Sequence, residues 1–266
     1  MGYRTLLFET LNKVARITMD RPDQYNAFDD TMIGELLHAL DTCSRDPDVR
    51  AVILTGEGKA FCSGADIGTI EAFLQADDKP PSALFQYFVR HLHAIVVEIR
   101  RMPKPVVAAV NGVAAGGGFS LALACDLIIA SETARFTLAY SRLGVTPDGG
   151  ATFFLPRLLG PAKTAELIYL DPVLTVQQAL KWGFVNKVVA EDDLREQALA
   201  VAQKLAEGPS RAHAGAKDLM NRTWHHTLEA QLEEERQHIM AASMTEDFNE
   251  GVAAFQAKRP PLFKGQ

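Results

Sequence analysis

Apolar residues along this chain follow two rhythms. Short runs that are apolar at nearly every position read as strands buried on both faces, at 51–55, 106–110 and 126–130. Residues 6–9 and 14–19 read as a hairpin turning at Leu11-Asn12-Lys13, with further strands at 134–138 and 185–189. Between them the spacing turns helical. Residues 29–44 start at Asp29 or Asp30 and carry Met32, Ile33, Leu36, Leu37 and Leu40 on one side. Residues 70–75 and 83–101 are two helical pieces parted by Asp77-Asp78-Lys79-Pro80-Pro81. Helices at 151–159, 162–170 and 176–182 follow, the last capped by Gly183. From Asp192 onward four helical stretches run in succession, at 194–207, 210–224, 228–242 and 245–258. Strands alternating with helices and then a block of helices predict an α/β core over 1–191 and a helical C-terminal region over 192–266.

The stretch 104–130 carries the densest signal. An apolar strand ends at the turn Asn111-Gly112, and Gly116-Gly117-Gly118 then opens a short, wholly apolar helix over 119–124. Three glycines there have two uses. They let a helix pack closely against its neighbours, or they let backbone approach a ligand. In the second case the unpartnered N–H groups of the first helical turn hold negative charge. The pattern GxxxxGK[ST] is missing, so a phosphate-binding P-loop is excluded and a transient oxyanion is the charge to consider.

Composition narrows the partners. The 266 residues carry 27 basic and 33 acidic side chains, a net charge of −6, which argues against a nucleic-acid or anionic-membrane partner. No apolar run approaches the roughly 18 residues of a membrane span. The opening residues suit neither a signal peptide nor, with Leu6, a myristoylation site, and a cytoplasmic location is expected. Cys43, Cys62 and Cys125 form no CxxC pair and read as reduced, buried thiols. His91 and His93 lie two apart, on different sides of their helix, so no metal site is expected.

Several blocks occur together and in order: Arg21-Pro22 with Asn26-Ala27, AFCSGADI, KPVVAAVNGVAAGGGFSLALACD, LGVTPDGG and the ending EGVAAFQAKRPPLF. Taken as a set they resemble the crotonase (enoyl-CoA hydratase/isomerase) superfamily. The resemblance implies a spiral of ββα units with a helical C-terminal extension used for trimerisation and active-site cover. It implies a homotrimer or dimer of trimers, and acyl-CoA thioester substrates of the kind met in fatty acid metabolism. No separate cofactor is implied, because coenzyme A enters as part of the substrate. It also implies an oxyanion hole made by the backbone N–H groups of Ala65 and Gly117. One such donor is worth roughly 3–4 kcal/mol of barrier.

The acid/base groups depart from the hydratase pattern. The positions that match the two glutamates of the family's hydratases hold Ser120 and Tyr140, and neither is a carboxylate. One carboxylate remains, Asp148 in Thr146-Pro147-Asp148-Gly149-Gly150. By its residue types Pro-Asp-Gly is a turn; by resemblance Asp148 matches the base of enoyl-CoA isomerases and of ring-expanding phenylacetyl-epoxide-CoA isomerases. Shifting a double bond needs one such base. Asp66, after a glycine, suits a helix N-cap. For coenzyme A the resemblance implies contacts from Asn26, Ala27, Lys59, Phe61, Asp66, Ile67 and Gly68, with Ser120 and Tyr140 shaping the pocket. Lys258 and Phe263 are placed near the adenine end, from this subunit or a neighbour. The expected activity is double-bond isomerisation with Asp148 as acid/base. The alternatives are a hydratase, an acyl-CoA hydrolase or dehalogenase, and a non-catalytic acyl-CoA-binding protein.

Overall fold

The computed structural model describes residues 2–76 and 80–266. The hairpin forms from β1 (Leu6–Leu11) and β2 (Val14–Met19). Its two-residue turn, Asn12-Lys13, has positive φ at both positions, the twist that lets antiparallel strands continue in register. α1 (Asp30–Arg45) begins where the Asp29 carboxylate accepts the Met32 N–H, so the N-cap is Asp29 and Asp30 is the first helical residue. β3 (Ala51–Gly56) and β4 (Ala60–Cys62) precede α2 (Ile67–Gln75) and α3 (Pro81–Arg101). Of the break read between those helices, Asp77-Asp78-Lys79 lies outside the described residues.

β5 (Val106–Val110), β6 (Val113–Ala115) and α4 (Gly117–Ala124) repeat the order strand, strand, helix. So do β7 (Leu127–Ser131), β8 (Arg135–Thr137) and the pair α5 (Ala151–Leu159) and α6 (Pro161–Leu170). β9 (Leu174–Thr175), α7 (Val176–Trp182) and β10 (Lys187–Val189) close the series. In each repeat the first strand joins a six-stranded sheet, β1-β2-β3-β5-β7-β10, and the second joins a four-stranded sheet, β4-β6-β8-β9. Pairing is parallel except between β1 and β2 and between β8 and β9. This is the spiral of ββα units that the sequence implies.

Both faces of the large sheet are covered, which is why its central strands are apolar at almost every position. One face packs Ile17, Leu54, Ala108 and Ile128 into the main core with α1 and α3. The other packs Val14, Ile53, Val107 and Ile129 against α8 (Leu194–Ala206), through Leu194, Ala198, Ala202 and Ala206 at four-residue spacing. The C-terminal helical region therefore starts with a helix that completes the core. α9 (Ser210–Arg222), α10 (Leu228–Ser243) and α11 (Glu246–Gln256) follow. One ion pair and the hydrogen bonds of an arginine tie this region down. Lys217, 4% exposed, donates to Asp126 at 2.6 Å and to the Lys104 carbonyl at 2.9 Å. Arg50 donates to Ser210 Oγ at 2.8 Å and to the Phe263 carbonyl at 3.2 Å.

Candidate active site

The four-stranded sheet builds the site. β4, β6 and β8 run parallel, so their C-terminal ends emerge along one edge, the place where parallel sheets present loops to a ligand. Just past β4 lie Ser63 to Gly68, just past β6 the three glycines, and just past β8 Leu138 to Tyr140. Residues about fifty positions apart become neighbours because adjacent parallel strands deliver them to the same edge.

Each glycine at this edge answers a different demand. Gly64 has φ +91, and a Cβ there would lie 3.0 Å from both the Ala115 carbonyl and the Gly117 nitrogen, so the 63–65 loop lies directly against the start of α4. Gly116 has φ +52 and turns the chain into the helix. A Cβ on Gly118 would lie 2.1 Å from the Cys62 carbonyl, which leaves no room for any side chain. Gly117 faces the cavity, with Leu92 and Phe28 its nearest side-chain neighbours. The glycines thus differ by position: Gly118 is required by close helix packing, and Gly117 lines the cavity.

Two residues that line this space, Ala65 and Gly117, have backbone N–H groups without a partner among the described residues. Phe28 bridges the loop by donating to the Gly64 carbonyl at 2.7 Å and accepting the Asp66 N–H at 3.0 Å. A parallel bridge of this kind uses the groups on either side of Ala65 and leaves the Ala65 N–H pointing away. Gly117 is the first residue of α4, so its N–H has no partner within the helix. Neither N–H has a hydrogen-bond partner among the described residues.

The cavity at this edge measures about 1110 Å³ and is mostly apolar. One wall is a single face of α3, where Phe85, Val89 and His93 follow at four-residue spacing beside Leu84, Phe88 and Leu92. Tyr25, Phe28 and Leu138 add to the lining. Two carboxylates line it among the described residues, and their surroundings differ. Asp66 is tied up: one oxygen accepts the Thr69 N–H as N-cap of α2, and the other pairs with Arg21 at 2.9 Å. Asp148 accepts the Tyr140 hydroxyl on Oδ1 at 2.5 Å, while its Oδ2 accepts no hydrogen bond among the described residues. Ser120 Oγ donates to the Asp148 carbonyl at 2.9 Å and lies 3.3 Å from the Tyr140 hydroxyl.

Burial raises the Asp148 carboxyl above the usual carboxylate range, and the Tyr140 hydrogen bond and the charge of His93 only partly offset it. Burial, with the neighbouring Asp148 charge, also raises the Tyr140 phenol, which stays a neutral donor. The three cysteines are free and buried; desolvation pushes Cys43 and Cys62 up to about 12 and Cys125 in the same direction. None is a thiolate nucleophile at neutral pH.

Of the residues singled out in the sequence, Ala27, Ala65, Asp66, Ile67, Gly68, Gly117, Tyr140 and Asp148 line this cavity, and Ser120 braces two of them. Five others stand outside its lining. Asn26 is fully buried, accepting the Arg21 N–H and donating to the Glu57 and Ala60 carbonyls, so its side chain pins a loop. Phe61 is fully buried on β4 and belongs to the hydrophobic core. Lys59 is exposed in the β3–β4 turn, outside the cavity lining. Lys258 is exposed and also lies outside that lining. Phe263 lines a separate cavity with residues of α9 and α11. His93, weighed from the sequence only as a metal ligand, and Arg142, not singled out there, both line the site. The four-residue spacing Phe85-Val89-His93 was the available signal for the histidine.

Comparison with known proteins agrees with this geometry. Residues 9–266 match the family model for enoyl-CoA hydratase/isomerase. The chain is 38% identical over 254 residues to the 1,2-epoxyphenylacetyl-CoA isomerase of Escherichia coli (strain K12), covering 95% of each. It is 39% identical over 264 residues to a probable enoyl-CoA hydratase of Rhizobium meliloti (strain 1021), covering 99% of each. Its fold overlays the crystal structure of a putative enoyl-CoA hydratase from Streptomyces coelicolor A3(2) with a TM-score of 0.93, at 35% identity and with 100% and 96% of the two chains covered. With a match over nearly its whole length, the chain belongs to the enoyl-CoA hydratase/isomerase family.

Proposed function

We propose that this acyl-CoA enzyme moves a double bond within an enoyl-CoA thioester, using Asp148 as its single acid and base. The observation that carries the reading is the pairing of one raised, singly hydrogen-bonded carboxylate with two unpartnered backbone donors in one apolar cavity. The thioester oxygen accepts from the Ala65 and Gly117 N–H groups. Oδ2 of Asp148 takes a proton from the carbon next to the carbonyl, and the C–H electrons flow into an enolate conjugated with the existing double bond. The same proton then returns from Oδ2 to the γ-carbon, leaving the double bond shifted toward the carbonyl. Tyr140 holds Oδ1 throughout and so presents Oδ2. Ser120 and Tyr140 fill the positions where hydratases of the family carry glutamates, and neither activates water as a carboxylate does. Coenzyme A enters only as part of the substrate.

The test is Asp148→Asn. The variant keeps an oxygen for the Tyr140 hydroxyl but has no base, so conversion of 3-enoyl-CoA to 2-enoyl-CoA falls roughly 10²–10⁴-fold. Calorimetry should show acyl-CoA binding retained. Deuterium placed on the α-carbon of the substrate should reappear on the γ-carbon of the product. Full isomerase activity in Asp148→Asn removes the assignment.

A second reading has His93 in its favour, the one imidazole lining the cavity among the described residues. A carboxylate that attacks a carbon bearing a leaving group forms an ester, and an imidazole activates the water that cleaves it and restores the carboxylate. Trapping an ester on Asp148 with halide released, or an acyl anhydride on Asp148 with free coenzyme A released, would favour this reading over isomerisation.

A further inference from the structure

Asp171 lies outside the cavity yet holds the segment that carries Tyr140. It sits at the C-terminal end of α6 in left-handed backbone, φ 44, and is 6% exposed. Its Oδ1 accepts the Ala139 N–H at 2.7 Å and the Thr137 hydroxyl at 3.0 Å. Its Oδ2 meets Arg142 Nε at 2.9 Å in the geometry of an ion pair without a formed hydrogen bond. Its carbonyl accepts from Arg142 Nη2 at 3.0 Å. One residue thus grips positions 137, 139 and 142, on both sides of Tyr140.

That segment needs gripping. Ala139 has φ +59, a conformation that a residue with a Cβ rarely adopts. The turn at Ala139 aims the Tyr140 ring inward, where its hydroxyl meets Asp148 Oδ1 at 2.5 Å. If Ala139 relaxes toward negative φ, the ring leaves that line. The Tyr140 hydrogen bond lowers the pKa of the Asp148 carboxyl against burial, so its loss moves Asp148 further up. The charged groups around the pair are His93, whose charge acts on Asp148, and Arg142, which pairs with Asp171.

We propose that Asp171 is a positioning residue: from outside the cavity its carboxylate holds residues 137–142 in the conformation that aims Tyr140 at the reacting carboxylate. The consequence for turnover rests on the Asp148 reading above; the consequence for the Asp148 carboxyl does not.

The test uses Asp171→Gly, because glycine suits left-handed backbone and removes only the carboxylate. With 3-enoyl-CoA, kcat should fall on the order of tenfold while KM changes by less than about twofold. The acid limb of the pH profile should move up by about one unit. In a Tyr140→Phe background Asp171→Gly should add nothing, because the two act through one hydrogen bond. The Asp148 carboxyl is followed separately by carbon-13 NMR against pH, which needs no turnover. If the unaltered enzyme fails to isomerise but Asp171→Gly still moves the Asp148 titration, the isomerase reading falls and the positioning role stands. An unmoved titration, or a full additional loss on top of Tyr140→Phe, overturns the proposal. Should Asp171→Gly not fold, Asp171→Asn removes the ion pair to Arg142 and keeps Oδ1. It should shift the titration upward by a smaller amount, and no shift overturns the proposal.

Discussion

At the scale of single residues, the site turns on how differently two carboxylates are treated. Asp66 and Asp148 line the same cavity, yet Asp66 is held by a helix N-terminus and a guanidinium while Asp148 has one phenol. Only the second has an oxygen that accepts no hydrogen bond among the described residues, and the proposed proton transfer uses it. Because burial raises Asp148, the base is ready only above that raised value, and kcat/KM should climb with pH through it. Tyr140→Phe removes the donor that opposes burial, so the climb should move to higher pH by about one unit, read from a pH–rate profile. A profile unchanged in Tyr140→Phe would show that the phenol does not tune the base. Pro-Asp-Gly at 147–149 reads as an ordinary turn by its residue types, and no local pattern carries the burial that raises its carboxyl. Leu92 and His93 of α3, which line the same cavity, stand more than fifty residues earlier in the chain.

Among the elements, α4 concentrates both packing and chemistry in eight buried residues. Phe119 packs with Phe136 and Phe184 beneath it, which fixes the helix against β8 and so fixes where its first N–H points. Neighbouring glycines should therefore respond in opposite ways. Gly118→Ala drives a Cβ into the Cys62 carbonyl, a backbone atom that cannot step aside, and should cost more than about 3 kcal/mol of stability or abolish folding. Gly117→Ala meets the end of Leu92 at 3.1 Å, a flexible side chain, and should fold with a narrowed cavity and reduced turnover. Denaturant melts with paired activity assays separate the two; equal stability in both variants would contradict this division. Helix α4 and strand β5 were legible in the sequence from apolar content alone. The three-residue strands β4 and β6 and the two-residue β9 were not, because so few residues show no periodicity.

For the whole molecule, exposed apolar side chains occur at several places, α10 and α11 among them. Ile239, Met244 and Phe255 on and between α10 and α11 are exposed at 70%, 87% and 87%. Leu228 and Leu232 extend the same surface along α10. A subunit interface would cover apolar area of this kind. The protein is expected to be a trimer or a dimer of trimers in solution, with light scattering as the measurement. Replacing Met244 and Phe255 together by Asp should yield smaller species, and a monomeric unaltered protein would remove the expectation. Among the described residues no helix is long and apolar enough to cross a membrane, and no group of three or more metal-ligating side chains is assembled.

By resemblance to the family, Ser120 and Tyr140 leave Asp148 as the carboxylate to consider. The sequence alone determined what is local: which of the longer runs are strands or helices, and where glycine must stand. These follow from side-chain period, turn chemistry and residue type, which act over a few positions. The tertiary structure alone decided which of these residues meet. Parallel pairing of β4, β6 and β8 brings Ala65, Gly117 and Tyr140 to one edge, and α3 closes over Asp148. Convergence and burial depend on contacts between distant segments, and those contacts leave no mark in the spacing of neighbours along the chain.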